Sequence, residues 1–408
     1  MAHCRVIIIG AGIGGLTAAL SLQRHGFKVS VYEQARKLQE LGAGMLVTPN
    51  AMHALNHLGV GDRVAEASNA SGETLFKHYK TGAILQRRPG SGNYESRYGA
   101  GHFRVHRADL HNALSAAVLQ NDPSCIHLDH TFSEMSQDEN AVVARFVNGA
   151  AATGDALIGC DGGRSRVRDT LYGSKPVSYT GQVAFRALIP IARLPDTLRS
   201  QSQCLYIGPR RMLLHYPLRR NLLLNVVAIA QQPQWQDEGW TIPAEIGELV
   251  ALYSDFHPEA MRLIELIEPT MLFKWGLRDR DPSPRWTLGR ASLLGDAAHP
   301  MSPFLGQGAV MAIEDGMVLG RCFAQANSPQ EALRLYEGTR KLRANAIQLL
   351  SRERASALQA SSPAHVEPGD AEDLGLFEYD PTSVSLGSGV INATPLTDKS
   401  ESPLLRSF

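Results

Sequence analysis

The sequence predicts an α/β protein: a Rossmann-like nucleotide-binding unit, interrupted by a mixed β-sheet domain and closed by C-terminal helices. Two glycine-rich turns and one change of pattern predict it. The first turn, Gly10-Ala-Gly12-Ile-Gly14-Gly15, follows the apolar run Arg5–Ile9 and opens a helical repeat. The second lies in GDAAHPMSPFLGQGAVMAIED (295–315), which follows the strand-like RASLL (290–294) and opens another helix late in the chain. Between them, from about residue 178 to 285, the runs FRALIP, LYIG, RMLLHYPL and NLLLNVVAIA are short, β-rich and broken by Pro, Gly and Arg.

The elements follow in order. Arg5–Ile9 reads as a buried strand from its β-branched run. Gly12–His25 reads as a helix from the spacing of Leu16, Ala19, Leu20 and Gln23, and it stops at Gly26. Lys28–Tyr32 alternates as a second strand. A helix is expected over 50–68, from Pro49 onward. Residues 71–105 are glycine-rich with strand-like pieces, a helix begins near Ala108, Ala141–Val147 is extended, and Ala156–Gly159 returns to the nucleotide unit as a short strand. Helices are expected over 308–325 and 329–358. From 361 the chain is rich in Ser, Pro, Gly and Asp and reads as a lid or a poorly ordered tail. The domain plan is therefore 1–70, 100–175 and 286–325 for the nucleotide unit and 71–99 with 176–285 for the sheet domain; 326–360 is a C-terminal helix and 361–408 the tail.

Composition narrows the function. At 408 residues the chain is longer than one core usually organises. Apolar residues make up 44% and charged residues 20%, as in an ordinary globular protein. Lys and Arg balance Asp and Glu at 40 each, which excludes nucleic acid or an anionic membrane as the main partner, because both attract a basic surface. The 5 cysteines are scattered without a CxxC pair, so neither a bound metal nor a redox disulfide is expected, and a cytoplasmic, reducing location suits them. No apolar run reaches the roughly 18 residues of a membrane span. The apolar N-terminus could pass for a signal peptide, but its glycine spacing has the better explanation given next. The Asn392-Ala-Thr394 sequon reads as chance.

Gly10, Gly12 and Gly15 form GxGxxG between a strand and a helix. The first permits the tight turn, the second lets backbone approach a pyrophosphate, and the third lets helix lie on strand; the helix N-terminus then offers N–H groups to phosphate. Glu33, with Gln34 beside it, ends the second strand where a carboxylate can accept from ribose hydroxyls, and it disfavours a 2′-phosphorylated nucleotide at this site. A bound dinucleotide is therefore expected.

The chain further resembles the flavoprotein monooxygenases of the para-hydroxybenzoate hydroxylase type. The resemblance rests on CDGGRSRVR (160–168), on VHRADL with Arg107, and on the GD segment at 295. EQARKLQELGAGMLVTPNAMHALNHLGV, HYPLR (215–219), FHPEAMRLIELIE (256–268) and KWGLRDRDP (274–282) are similar to the salicylate hydroxylase, 3-hydroxybenzoate 6-hydroxylase and 6-hydroxynicotinate monooxygenase branch. No second GxGxxG is present, as in that family. The paired tryptophans of flavin halogenases are missing; WTIP (240–243) is half of that signature.

The resemblance implies a glutathione-reductase-type FAD-binding domain with an inserted substrate domain, in a monomer or homodimer. It implies a single-component hydroxylase in which NADH or NADPH reduces FAD, dioxygen adds at flavin C4a, and the hydroperoxide hydroxylates a phenolic acid-like ring. By the same matching, Gly10, Gly12, Gly14, Gly15, Glu33, Gln34, Arg107, Asp161, Asp296, Gly306, Gly308, Ala309 and Val310 hold the cofactor. Leu46, His215, Pro303 and Phe304 line the substrate site. A phenol attacks best as phenolate, yet a free phenol has a pKa of about 10, so a base or positive field is needed. His215 is the candidate, with Tyr216 as the alternative should the strand register exchange their faces. Arg186, Arg210 and Arg211 are possible partners for a substrate carboxylate. The 6-hydroxynicotinate enzymes carry His where this chain has Leu46 and Phe304, which favours a more apolar substrate. The alternatives are a hydroxylase of a nitrogen heterocycle or fused-ring natural product, and a non-catalytic flavin-fold binding protein like the prenylation escort proteins.

Overall fold

A computed structural model of the chain describes residues 4–38, 43–88, 90, 93–174, 177–199, 202–237, 239, 241–358, 371–372 and 374–389. The nucleotide unit rests on a six-stranded sheet in the order Thr287–Leu288, Ala291–Leu293, Ala156–Gly159, Arg5–Ile9, Lys28–Tyr32, Ile126–His127. All its pairings are parallel except the first. Ala156–Gly159 and Ala291–Leu293 are buried throughout, which is why they read as unbroken apolar runs. A meander of Phe132–Gln137, Val142–Phe146 and Ala151–Gly154 packs against this sheet. Only its middle strand is expected from sequence, because Phe132–Gln137 is mostly solvated and lacks apolar alternation.

The helices over Ile13–Arg24, Arg107–Asn121, Gly308–Gln325 and Pro329–Leu358 match the sequence reading. The helix expected over 50–68 is two helices, Pro49–His57 and Gly61–Glu66, because Gly59 between them takes φ +77° and ends the first. Helix Gly308–Gln325 lies directly on helix Ile13–Arg24. A Cβ at Gly316 would stand 2.7 Å from the Ala18 nitrogen, and one at Gly320 2.1 Å from Ser21 Oγ. The two glycines therefore set the closeness of this contact.

The second domain is an eight-stranded sheet ordered Ile242–Pro243, Phe273–Asp279, Ser178–Pro190, Leu223–Gln231, Arg211–Leu218, Gln203–Gly208, Thr74–His78, Ile84–Arg88. Its far face carries Val183, Phe185, Tyr206, Leu213, Val226 and Ala228 against the helices Ile246–Tyr253 and Pro258–Glu265. Only strands are expected from sequence over 178–285, so these helices correct that reading. Their buried Leu249 and Tyr253, and Ala260, Leu263 and Ile264, follow helical rather than alternating spacing. The near face carries Ala184, Leu205, Ile207, Met212, Ile229 and Leu277 toward the nucleotide unit, where Phe304 and Leu358 meet it.

Part of the segment expected as a tail or lid is a packed strap. Leu374, Leu376, Phe377 and Tyr379 are buried. Arg321 donates to the carbonyls of Pro381 and Val384 at 2.9 Å each, and the Gly387 N–H donates to Thr339 Oγ1 at 2.8 Å. Residues 361–370, 373 and 390–408, with the Asn392 sequon, lie outside the described residues, as does Trp240.

Glu314 and Asp315, in the middle of helix Gly308–Gln325, are wholly buried. Arg340 bridges them, with Nη2 2.7 Å from Glu314 and Nε 2.7 Å from Asp315. Arg343 donates to Glu314 at 2.9 Å and to the Leu376 carbonyl at 3.1 Å. The Tyr379 ring covers the Arg343 guanidinium at 3.9 Å. Asp315 also accepts from the Gly295 N–H at 3.1 Å and lies 2.6 Å from His299 Nε2. Burial works to raise the Asp315 pKa, but His299 and Arg340 outweigh it and hold the carboxyl at about 2. A carboxyl lowered in the folded state stabilises the fold above its unfolded pKa, and that contribution is lost as pH falls through the folded value. Asp315→Asn is expected to destabilise the fold by about 3–5 kcal/mol by chemical denaturation at neutral pH. It should also flatten the loss of stability that the unchanged protein shows between about pH 4 and pH 2.

Candidate active site

The first glycine turn is formed as its spacing predicts. Gly10 takes φ +104°, and a Cβ there would stand 2.5 Å from the Cys160 carbonyl oxygen. A Cβ at Gly15 would stand 2.1 Å from the Gly10 oxygen, so strand and helix touch through bare backbone. Gly12 faces open space. Gly14 faces Leu294 and Ala312, so it serves helix packing. Glu33 braces the turn: its carboxylate accepts from the Ala11 N–H at 2.8 Å and the Ala35 N–H at 2.9 Å. Gln34 beside it is exposed. His111, a residue the sequence reading passed over, is buried with Nε2 2.8 Å from the Ala11 carbonyl. Its position one turn into the helix that Arg107 starts was the only signal for it. Arg107 is half-buried, and its N–H donates to the Ala43 carbonyl at 2.7 Å.

The second glycine turn lies close to the first: Cβ atoms at Gly14 and Gly295 would each stand 3.1 Å from Ala312 Cβ. Asp296 is exposed although Gly295, Ala297, Ala298 and His299 around it are buried. Its Oδ1 lies 3.9 Å from where a Gly308 Cβ would be, at the start of helix Gly308–Gln325. Gly306 takes φ +66° just before that helix, Ala309 is half-buried and Val310 fully buried. Neither this helix nor helix Ile13–Arg24 has a side-chain cap, so both present unbonded N–H groups at a partial positive charge. Asp161 is differently placed. Its oxygens accept from Ser165 Oγ at 2.5 Å and the Val167 N–H at 3.1 Å, which caps the helix Arg166–Tyr172. Burial raises its pKa.

Strand Gly44–Val47 runs between the second turn and the eight-stranded sheet. A Cβ on Gly306 would meet Leu46 Cδ1 at 3.3 Å. A Cβ on Gly44 would meet Tyr216 Oη at 2.6 Å and Asn225 Cγ at 2.7 Å. Phe304 packs on the near face of the sheet, and Pro303 beside it is exposed. Leu46, Tyr216 and Phe304 thus belong to one wall beside the Gly306 turn.

His215 does not. The ladder pairs it with Cys204 and Val226, both on the far, helix-covered face, whereas Tyr216 pairs with Asn225 on the near face. His215 lies 6.2 Å from the Tyr206 ring, and burial lowers its pKa to about 4. The expectation of His215 as the substrate base is therefore corrected: strand alternation turns it away from the other site residues. Tyr216 takes the near face instead. Burial raises its pKa, opposed by Arg186 and Arg104, so its phenol is neutral near pH 7. Of the arginines considered, Arg186 faces the wall and stacks on Trp275 at 5.0 Å, while Arg211 pairs with Asp255 at 2.9 Å. Away from this wall, at the Ser178–Gln182 end of strand Ser178–Pro190, lies a cavity of about 700 Å³ lined by Arg168, Tyr179, Gln182, Arg280, Ser302 and Arg352 among others. Among the described residues no cluster suits a metal ion, and no helix is long and apolar enough to cross a membrane.

These residues fit a flavin dinucleotide: an open backbone turn, a braced carboxylate, two uncapped helix N-termini and an exposed aspartate set among buried neighbours. Comparison with known proteins agrees. The profile described as "FAD binding domain" matches residues 3–350, so the chain belongs to this family of FAD-binding proteins. A 3-hydroxybenzoate 6-hydroxylase of Polaromonas naphthalenivorans (strain CJ2) is 35% identical over 349 residues, covering 85% of this chain and 86% of the relative. A 6-hydroxynicotinate 3-monooxygenase of Pseudomonas fluorescens is 35% identical over 355 residues, covering 86% of this chain and 90% of the relative. Klebsiella pneumoniae HpxO, solved with FAD and uric acid, superposes with a TM-score of 0.79 at 26% identity, over 87% of this chain and 89% of that one. If Asp296 contacts the cofactor, Asp296→Ala should purify with clearly less than one FAD per chain by flavin absorbance. The melting temperature of the FAD-free protein should stay within about 2 °C, because an exposed side chain contributes little to folding.

Proposed function

We propose that the chain is an NAD(P)H-dependent, single-component FAD monooxygenase that hydroxylates an aromatic ring bearing an activating hydroxyl. The observation that carries this reading is the wall of Leu46, Tyr216 and Phe304 against the Gly306 turn. It offers an apolar slot for a ring, with one hydroxyl in it. When bound, FAD reduced by NAD(P)H supplies the activation of dioxygen. The chain's own residues do the rest. Leu46 and Phe304 hold the ring and exclude water. Tyr216 hydrogen-bonds the substrate hydroxyl and fixes the ring's orientation. Arg186 and Arg104, whose charges act on Tyr216, favour the phenolate form of the substrate and so raise the electron density of the ring. The uncapped N-terminus of helix Gly308–Gln325 stabilises negative charge on the flavin ring. A nitrogen heterocycle is the second reading. It is favoured by the equal similarity to a 6-hydroxynicotinate enzyme, and opposed by the apolar Leu46 and Phe304.

Purified protein should carry FAD and oxidise NADH or NADPH faster when 3-hydroxybenzoate or 6-hydroxynicotinate is added. Failure of a panel of phenolic acids and hydroxypyridines to stimulate oxidation overturns the reading. Tyr216→Phe should retain FAD while kcat/KM for product falls about ten-fold or more, with oxidation diverted to peroxide. His215→Ala should leave the ratio of product to reductant unchanged, and a loss of coupling there would restore it as the base.

A further inference from the structure

Asn225 lies in the apolar run NLLLNVVAIA and is completely buried in the middle of strand Leu223–Gln231. An asparagine is uncommon at such a position unless its amide is used. Half of it is: Oδ1 accepts the Gly44 N–H at 3.0 Å. That bond fixes the amide, since a backbone N–H can only donate and so must face Oδ1 rather than Nδ2. Nδ2 is left buried with no hydrogen-bond partner. The ladder places Asn225 directly opposite Tyr216 on the near face of the sheet. Both side chains end beside Gly44, for a Cβ there would meet Tyr216 Oη at 2.6 Å and the Asn225 amide carbon Cγ at 2.7 Å. Arg104 is buried on the strand that pairs with Gly44–Val47, and Arg186 stacks on Trp275 on the near face of the sheet. The charges of both arginines reach Tyr216. A buried donor in a positive field selects an anionic or strongly polar oxygen.

We propose that the Asn225 side-chain amide is a specificity-determining donor, which presents Nδ2–H to a carboxylate or carbonyl oxygen of the ring substrate beside the Tyr216 hydroxyl. Nothing in the fold alone calls for an amide there, because Gly44 needs only an acceptor. The inference rests on the hydroxylase reading and adds the substituent that the substrate carries: an oxygen acceptor on the edge of the ring that faces Gly44.

Asn225→Asp tests it, since the variant keeps shape and the acceptor for Gly44 but exchanges the donor for an acceptor. Binding of 3-hydroxybenzoate is read from the change in flavin absorbance, with 6-hydroxynicotinate used if the unchanged protein gives no response to it. The dissociation constant should rise about ten-fold or more at pH 8, while FAD content is unchanged. The loss should shrink as pH falls, because the introduced carboxyl regains a donor once protonated. The cationic probe 3-hydroxybenzylamine should bind no more weakly to the variant than to the unchanged protein. Should Asn225→Asp fail to fold, Asn225→Ala is read in the same titration and should show the same loss without the pH dependence. Equal affinity of variant and unchanged protein for the acid overturns the inference while leaving the hydroxylase reading intact, and so does loss of FAD from a folded variant, which would turn Nδ2 toward the cofactor. An unchanged protein that responds to neither acid, nor to any member of the wider panel, overturns both.

Discussion

The two carboxylates of Glu314 and Asp315 are the constraint on which the rest depends. They lie side by side on one helix without solvent, where an unpaired charge would cost several kcal/mol. Each therefore has to be met from several directions. Asp315 reaches back to the Gly295 N–H and His299, so it fixes the turn that carries Asp296. Glu314 accepts from Asn50 at 2.6 Å, and Asn50 Nδ2 in turn lies 3.3 Å from Gln307 in the second glycine turn. Arg340 and Arg343 bring in the long C-terminal helix, and Tyr379 and the Leu376 carbonyl bring in the strap. One ionic cluster thus ties together the two parts of the second glycine turn, the start of helix Pro49–His57 and the end of the described chain.

This arrangement explains why the late glycine segment is built as it is. Gly316 and Gly320 let its helix lie on the first helix of the nucleotide unit, and the acidic pair between turn and glycines anchors it from behind. The helix N-terminus can then be left uncapped and still be held in place. An uncapped, rigid N-terminus is what an anionic or electron-rich ligand edge requires. We propose that the two glycine turns are two contacts with one cofactor; strand Gly44–Val47 runs from the Gly306 turn to the eight-stranded sheet.

Much of this was legible in the sequence, for stated physical reasons. The GxGxxG turn, its flanking strands and the two late helices have strong local patterns: one buried apolar strand, one alternating strand and helices over ten residues long. The eight-stranded sheet was legible as a region, but the helices Ile246–Tyr253 and Pro258–Glu265 were hidden among strands. His215 and Tyr216 show the limit most clearly. Alternation says that neighbouring residues face opposite ways, and it does not say which way is inward. Only pairing with Cys204 and Val226 on one side, and with Asn225 on the other, decides it. Asp161 is a similar case: the motif it sits in marks a cofactor position, while its hydrogen bonds are those of a helix cap. Asn225, Asn50 and His111 were not legible, because their partners are distant in sequence.

The most direct test of the account is the fate of molecular oxygen. The purified, FAD-containing protein would be given NADH, 3-hydroxybenzoate and oxygen-18 gas, and the product examined by mass spectrometry. The account predicts a hydroxylated ring carrying one oxygen-18 atom, formed in step with NADH consumed. If the unchanged acid is recovered while NADH is oxidised to peroxide alone, across the panel of phenolic acids and hydroxypyridines, the chain is not the ring hydroxylase described.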